Sequence, residues 1–158
     1  MPETVKVTLP SDREIQVARS FDAPAQRVFD FHTKPELVQR WLLGPPGWTM
    51  PICEIDLKVG GKYRYVWRSN DLSNEFGVAG DFQEITVPTR LVYTGKMDGV
   101  PGSSVSTLAF AESDGTTTLT TTMLFATRQE RDHAAESGMT DGMAMSYDRL
   151  DDFISERS

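Results

Sequence analysis

The amino-acid sequence predicts an α+β fold in which one antiparallel sheet packs against a long C-terminal helix. Three observations support this prediction: alternating apolar residues at 14–21, two short helical segments before residue 44, and a period of two from residue 50 to residue 125. After residue 127 the apolar residues return to helical spacing. The order of strands, two short helices, about six strands and a closing helix is typical of an α+β architecture.

The composition limits the class of protein. A chain of 158 residues is expected to form one domain over residues 1–158 and to bury roughly 70% of its unfolded surface. The formal charge of −7 and the isoelectric point near 4.8 argue against a nucleic-acid or membrane partner, since both would need a basic surface. A single cysteine, no signal-peptide-like segment and no apolar run of transmembrane length predict a soluble cytoplasmic protein.

Local signals set the expected ends of the first elements. Residues 3–9 and 14–21 alternate as strands. Asp22 to Pro24 is expected to begin the first helix, because aspartate can cap a helix and proline is tolerated in its first turn. Thr33 to Glu36 has the pattern of a capping box, with the threonine as N-cap of the second helix. Gly44 to Pro46 is expected to end that helix.

Apolar residues that alternate with a period of two predict the remaining strands. Residues 50–57 and 62–68 flank a glycine pair and are expected to form a hairpin. Residues 76–86 contain glycine inside an alternating segment, which predicts a strand with a bulge or a bend. Asp114-Gly115 is a tight-turn signal between the last two strands. We therefore expect further strands at residues 91–96, 103–112 and 116–125.

The C-terminal segment has the apolar spacing of one narrow helix face. Thr127 to Glu130 has a second capping-box pattern. The apolar stripe that follows comprises Ala135, Met139, Met143, Tyr147, Leu150 and Ile154. A continuous helix of about 28 residues would be roughly 42 Å long. Gly138 and Gly142 leave two interpretations open: the helix breaks near Ser137, or the glycines allow a close approach to the sheet.

An ordered set of motifs covers nearly the whole chain. It comprises Phe21-Asp22-Ala23-Pro24, Trp41, Gly44-Pro45, Glu54-Ile55-Asp56, Gly60-Gly61, Gly80, Glu84-Ile85, Pro88, Arg90-Leu91 and Ser146-Tyr147-Asp148-Arg149-Leu150. In this order the motifs resemble the Hsp90-ATPase-activator homologue (AHSA1-like) family of the START-like or Bet v 1-like (SRPBCC) superfamily, over about residues 13–155. The resemblance implies the helix-grip fold, in which a curved antiparallel sheet and two short helices surround a long C-terminal helix and enclose a cavity.

The resemblance is to the single-domain bacterial type of this family. Eukaryotic activators of Hsp90 have an additional N-terminal domain that docks on the chaperone. Only about a dozen residues precede the matching region here, so we expect no such domain. Several relatives in the wider superfamily bind apolar ligands, which implies a ligand role for the cavity.

Aromatic and methionine side chains form the candidate ligand site. Tyr63, Tyr65 and Trp67 share one face of a strand, and Met139 and Met143 would form the opposite wall. Two interpretations stay open: these side chains fill a packed core, or they line a ligand cavity. The full candidate set is Trp41, Trp48, Tyr63, Tyr65, Trp67, Phe82, Tyr93, Met123, Met139, Met143 and Tyr147.

The segment TKPELVQRWLLGPPGWTM places two of the three tryptophans beside a stiff loop. Trp41 precedes the Gly-Pro-Pro-Gly sequence at residues 44–47, and Trp48 follows it. These side chains would either cap one end of the core or form the mouth of the cavity. Both interpretations require that the tryptophans pack against other groups.

The sequence gives little support for catalysis or metal binding. His32 and His133 lie on different predicted helices, and Cys53 has no metal-ligand spacing, so both histidines are interpreted as ordinary polar positions. The chain has no nucleophile-elbow motif and no glycine-rich phosphate loop. We therefore expect no catalytic residue, no metal and no cofactor.

Glu54 and Asp56 are the candidate carboxylates of an enzyme hypothesis. They alternate onto the face opposite Ile55, which indicates solvent exposure or a salt bridge. Only a bend that turned them inward would allow one of them to act as a general base beside Arg64 or Arg68.

Three functional hypotheses follow. The leading one is binding of a small apolar or aromatic molecule in the sheet–helix cavity, with little or no catalysis. The second is a stress-response or chaperone-associated interaction protein, which rests on the resemblance alone. The third is an enzyme of the cyclase, dehydratase or hydrolase type that uses pocket tyrosines and a carboxylate. Exposed edge strands would also allow a homodimer.

Overall fold

The computed structural model describes residues 5–100 and 102–155, which form one open eight-stranded antiparallel sheet and four helices. The strands are β1 (Lys6–Thr8), β2 (Glu14–Phe21), β3 (Trp48–Ile55), β4 (Lys62–Ser69), β5 (Glu75–Thr86), β6 (Arg90–Met97), β7 (Ser104–Ser113) and β8 (Thr116–Phe125). The helices are α1 (Ala25–Thr33), α2 (Pro35–Trp41), α3 (Arg128–Glu136) and α4 (Met139–Ser155). The strand order is β1-β2-β8-β7-β6-β5-β4-β3. The predicted α+β helix-grip fold is confirmed.

The first two strands lie at one edge of the sheet. β1 begins at Lys6, whereas the sequence predicted a strand from residue 3; residues 3 and 4 lie outside the described part of the chain. β2 alternates half-buried and buried side chains, as its sequence predicted. It pairs with β8 over its full length, from Glu14 opposite Leu124 to Phe21 opposite Thr117.

The two short helices carry the chain from β2 to β3, at the opposite edge of the sheet. Each helix buries one apolar side, which includes Val28 and Phe29 in α1 and Val38 and Trp41 in α2. The ring of Phe29 meets that of Phe110 in β7 at a centroid distance of 5.4 Å. The helices therefore pack on the inner face of the sheet, and the core lies between the two layers.

The predicted capping box at Thr33 is wrong. Thr33 is the last residue of α1, and its Oγ1 donates to the carbonyl oxygen of Phe29 at 3.0 Å. Lys34 is the N-cap of α2, with an extended backbone and no side-chain capping bond. The reason is Pro35, because a residue before proline is excluded from the helical region and the helix restarts there. The second predicted capping threonine is confirmed, since Thr127 Oγ1 accepts from the Glu130 amide at 3.1 Å.

The predicted irregularity in the fifth strand is present. The pairing of β5 with β6 shifts register between Phe82 and Glu84, and a second shift between Thr49 and Ile52 interrupts β3. Such bulges bend and twist a sheet. At Gly80 the neighbouring strand approaches so closely that a Cβ would overlap the carbonyl oxygen of Thr94.

The C-terminal helical segment is broken, which decides between the two interpretations of its glycines. Gly138 separates α3 from α4 and has a φ of +88°, a left-handed conformation that favours glycine. Gly142 lies inside α4, where the atom nearest to an added Cβ would be Pro45 Cδ at 4.0 Å. α4 buries Tyr147, Leu150 and Ile154 in the core.

Candidate functional site: a cavity between the sheet and the helices

A cavity of about 120 Å³ lies between the inner face of the sheet and the helices. Strands β4 to β8 form one wall, and α1, α2 and α4 form the other. The strand residues are Tyr63, Tyr65, Phe82, Leu91, Tyr93, Ser106, Leu108, Thr121 and Met123. The helix and loop residues are His32, Val38, Trp41, Leu42, Met143, Ser146 and Tyr147. Apolar and aromatic groups dominate both walls.

Eight of the eleven residues singled out from the sequence line this cavity. They are Trp41, Tyr63, Tyr65, Phe82, Tyr93, Met123, Met143 and Tyr147. Trp48, Trp67 and Met139 lie outside the lining. Trp67 stacks on Phe76 with ring centroids 5.0 Å apart, and Trp48 meets the same ring at 5.5 Å. Met139 packs, partly buried, against the hydrophobic core.

The two tryptophans beside the Gly-Pro-Pro-Gly loop have different surroundings. Trp41 is 2% exposed, and its Nε1 donates to the carbonyl oxygen of Phe31 at 2.8 Å. Its ring stacks on Tyr147 at 5.8 Å with an interplanar angle of 22°. Trp41 thus forms part of the cavity wall. Trp48 belongs to a cluster with Trp67 and Phe76 outside the lining, and the Trp67 ring meets the lining residue Tyr65 at 5.8 Å.

Hydrogen bonds attach the loop after α2 to its neighbours. The Gly44 amide donates to Ser146 Oγ at 2.8 Å. Arg149 donates from Nη1 to the Trp41 carbonyl at 2.9 Å and from Nη2 to the Gly44 carbonyl at 3.1 Å. Because Arg149 and Ser146 both belong to α4, this helix holds the loop and the end of α2 in place.

Tyrosines supply four of the seven hydroxyl groups in the cavity lining. Tyr63 lies at the centre of a ring cluster, with centroids 5.0 Å from Tyr65 and 5.3 Å from Tyr93. The Tyr63 hydroxyl donates to the Thr94 carbonyl at 2.7 Å. The usual pKa of tyrosine already lies far above neutral pH, and burial raises the pKa of Tyr63, Tyr65, Tyr93 and Tyr147 further, so all four hydroxyls are protonated at neutral pH.

His32 lines the cavity, although the sequence indicated an ordinary polar position. Its ring meets Trp41 at 4.8 Å and Phe110 at 5.4 Å. Its spacing was the available signal, since it follows Phe29 by three residues and Val28 by four and therefore shares their buried helix face. His133, by contrast, is exposed.

The hydrogen bonds of His32 define its tautomer. Nδ1 lies 2.8 Å from the Val28 carbonyl oxygen, which can only accept, so Nδ1 carries the proton. Nε2 is buried and has no hydrogen-bond partner among the described residues. Burial lowers the pKa of His32 to about 4, although the bond to Val28 opposes this shift. The imidazole is therefore neutral at physiological pH, with a lone pair on Nε2.

The charged groups of the enzyme hypothesis lie outside the cavity. Of the described residues that line the cavity, none is Asp, Glu, Lys or Arg. Glu54 and Asp56 are both exposed. Arg64 binds Asp98 through two hydrogen bonds of 2.7 Å and 3.0 Å, and Arg68 pairs with Glu75 at 2.6 Å. Glu54 lies opposite Arg64 in the register of β3 and β4, but neither carboxylate is turned inward.

The described residues offer neither a metal-binding group nor a membrane-spanning helix. Over residues 5–100 and 102–155, no three His, Cys, Asp or Glu side chains are placed to hold a metal ion. Burial raises the pKa of the Cys53 thiol to about 11, so it is protonated at neutral pH. No helix in the same ranges has both the length and the hydropathy needed to cross a bilayer.

An open antiparallel sheet around a C-terminal helix, with a cavity between them, defines a protein of the START-like or Bet v 1-like class. Within this class, residues 22–155 match the family of Activator of Hsp90 ATPase homolog 1-like proteins. The match covers most of the chain, and the protein belongs to this family. Among curated proteins, none matches the sequence.

Solved structures of bacterial proteins share the fold. A crystal structure from Rhodobacter sphaeroides is 27% identical, with a TM-score of 0.92, and the alignment covers 97% of this chain and 99% of that one. A solution structure from Arthrobacter aurescens is 25% identical, with a TM-score of 0.84 and coverage of 98% and 94%. An AHSA1-like protein from Aeromonas hydrophila, 20% identical, has a TM-score of 0.73 and coverage of 90% and 96%, which shows the fold alone.

Proposed function

We propose that this protein binds a small hydrophobic or aromatic molecule in the cavity between the sheet and α4. The observation that supports the proposal is the cavity itself, about 120 Å³ in volume and lined mainly by apolar and aromatic side chains. Protein cores rarely keep voids much larger than a water molecule. A preformed apolar space with a few polar atoms is the usual character of a small-molecule site.

The hydrophobic effect supplies the driving force for such binding. An apolar ligand that leaves water for this cavity gains transfer free energy in proportion to the apolar area that it buries. Tyr63, Tyr65 and Tyr93 add ring contacts on the sheet wall, and Trp41 and Met143 add contacts on the helix wall.

Titration of the protein with toluene, followed by two-dimensional amide NMR, tests the proposal. We expect saturable shifts at amides around the cavity, and the absence of any binding by small apolar molecules would contradict the proposal. Met143→Trp should abolish the shifts, because Met143 lines the cavity and the larger ring would occupy it.

Met139→Trp is the matched control. Met139 lies one turn earlier in α4, is partly buried and does not contribute to the cavity lining. We expect this variant to bind toluene as the wild type does. If both variants kept the wild-type affinity, the toluene site would lie elsewhere and the proposed site would be wrong.

A role with Hsp90 stays a prediction that rests on the family description. A pull-down with Hsp90 and a measurement of its ATPase rate in the presence of this protein test it. Cytoplasmic localisation and a homodimer likewise stay predictions from the sequence.

A further inference from the structure

The volume of the cavity limits the size of its ligand. Sites for drug-sized molecules occupy roughly 300–1,000 Å³, whereas this cavity measures about 120 Å³. An apolar cavity of about 150 Å³ in another protein accepts benzene. The cavity therefore encloses about one six-membered ring, and we expect a ligand with at most a small substituent beyond that ring.

The electrostatic character of the cavity selects a neutral ligand. Its described lining includes no acidic or basic side chain apart from His32, which is neutral at physiological pH. An isolated ion would lose its hydration there without gaining a counter-charge. Carboxylates, ammonium groups and phosphates are thus disfavoured.

Most of the hydroxyl groups in the cavity do not discriminate between ligands. Tyr63 is committed to the Thr94 carbonyl at 2.7 Å, and Thr121 and Tyr147 share a hydrogen bond of 3.3 Å. Ser146 Oγ accepts from the Gly44 amide at 2.8 Å, and the other lining hydroxyls belong to Tyr65, Tyr93 and Ser106. A hydroxyl can donate or accept, so these groups tolerate ligands of either kind.

His32 Nε2 differs from these hydroxyls because it can only accept. The proton on Nδ1 is held by the Val28 carbonyl at 2.8 Å, which fixes the tautomer. Nε2 is buried without a hydrogen-bond partner among the described residues. A buried acceptor without a donor is costly, so a ligand that supplies the donor gains affinity over one that does not.

We propose that the ligand is a neutral, single-ring compound with one hydrogen-bond donor, of the phenol class, and that His32 Nε2 accepts the bond from that donor. The inference rests on the proposed function, since it concerns the ligand of the same cavity. Phenol meets the requirements of size, neutrality and a donor. Toluene has nearly the same size and shape but lacks the donor, and so serves as the matched probe.

Dissociation constants for phenol and toluene at pH 7 test this proposal in the wild type and in two variants. His32→Phe keeps a ring between Trp41 and Phe110 but removes both nitrogens. His32→Ala also removes both nitrogens and shortens the side chain. The two variants change the cavity volume in opposite directions, so an effect that they share is not an effect of volume.

We expect the dissociation constant of toluene divided by that of phenol to fall about threefold to tenfold in both variants, because phenol alone loses a hydrogen bond. This range corresponds to the net contribution of one hydrogen bond. The comparison of ratios cancels the greater hydrophobicity of toluene. In the wild type, the ¹⁵N resonance of His32 Nε2 should shift with phenol and not with toluene. The chain has two histidines, and the signal missing from His32→Phe assigns the resonance.

The outcomes separate this inference from the proposed function. Failure of both probes to bind the wild type would contradict the proposed function and the inference together. Binding of both probes with an unchanged ratio in the variants would overturn the inference and leave the function intact. An Nε2 resonance that ignores phenol would also overturn it, because Nε2 would then be satisfied by a trapped water or not at all.

Discussion

Arg19 Nη1 lies 2.6 Å from Asp148 Oδ1, and this ion pair joins β2 to α4. The arginine side chain is 1% exposed, whereas the aspartate side chain is 60% exposed. Arg19 Nη2 lies 3.6 Å from Asp151 Oδ2, and Arg19 Cζ lies 5.4 Å from the centroid of the Phe21 ring. A buried cation on the sheet thus depends on two carboxylates of the closing helix.

Removal of the Asp148 carboxylate, which leaves the buried Arg19 charge in place, should cost more stability than removal of the Arg19 charge itself. We expect Asp148→Asn to lower the free energy of unfolding by about 1–2 kcal/mol, because the guanidinium stays buried with weaker compensation. Arg19→Met should cost less, since methionine fills a similar volume without a charge. Urea denaturation followed by tryptophan fluorescence gives both values. A larger loss for Arg19→Met than for Asp148→Asn would contradict this account.

His32 should make the protein less stable in mild acid. Its pKa is about 4 in the folded protein, below the ordinary value of 6.5, so the unfolded chain binds a proton that the folded chain does not. The contribution of His32 is complete above pH 6.5 and is lost as the pH falls toward 4. Between pH 7 and pH 5 the loss should be about 2 kcal/mol.

Urea unfolding of the wild type and His32→Phe at both pH values measures this loss. The carboxylates titrate alike in the two proteins, so the difference between their pH dependences isolates the imidazole. The cavity tyrosines do not titrate in this range, since the ordinary pKa of tyrosine lies far above it and burial raises this pKa further. Equal pH dependence in both proteins would show that the folded state accepts a proton on His32 as readily as the unfolded chain.

Substitution by alanine at two glycines should change the stability of the protein in opposite directions. Gly80→Ala should destabilise the protein by about 2–4 kcal/mol, because the new Cβ would overlap the Thr94 carbonyl oxygen. Gly142→Ala should stabilise it by about 0.5–1 kcal/mol, since the site lies inside α4 and the nearest atom, Pro45 Cδ, is 4.0 Å away. Thermal unfolding of both variants measures the difference. A stabilised Gly80→Ala would mean that the strands separate easily at this position.

Arg149 should hold the end of α2 through both of its Nη donors. Arg149→Lys removes the planar fork that reaches the carbonyls of Trp41 and Gly44, and we expect a loss of about 1–2 kcal/mol. Amide hydrogen exchange in the loop at residues 44–47 should also accelerate. Arg128→Lys is the control, because its side chain is 68% exposed and pairs with Asp132 within one helix. Similar losses in both variants would argue against the anchoring role.

The positions of the strands were largely predictable because alternation is a local property of the chain. The threonine-rich segment at residues 116–125 is a strand whose inward positions include Thr117, Leu119 and Met123. The turn at Asp114-Gly115 was equally predictable from the local sequence, and both residues have positive φ, of 53° and 80°. The Thr33 cap was not predictable from its motif, since the restriction that proline imposes on Lys34 overrides the capping pattern.

The sequence predicted which face of each strand or helix carries the site, but not which residues along that face reach the cavity. Alternation placed Tyr63, Tyr65 and Trp67 on one side of β4, but the cavity ends before Trp67, whose Nε1 donates to the Leu42 carbonyl at 2.7 Å. Met139 shares the stripe of Met143 but is the first residue of α4, beside the break at Gly138. His32 was missed for another reason, since its spacing indicated burial while its residue type suggested a polar surface.

The pairing of β2 with β8 has a consequence for the folding of the nascent chain. Residues 14–21 are synthesised early, but their long-range partner at residues 117–124 follows about a hundred residues later. Until then β2 can pair only with the three-residue β1 among the described strands of the sheet. The strand stays exposed for the several seconds that translation of the intervening segment takes, at roughly 5–20 residues per second. Refolding of the full-length chain avoids this delay, because both strands are present from the start.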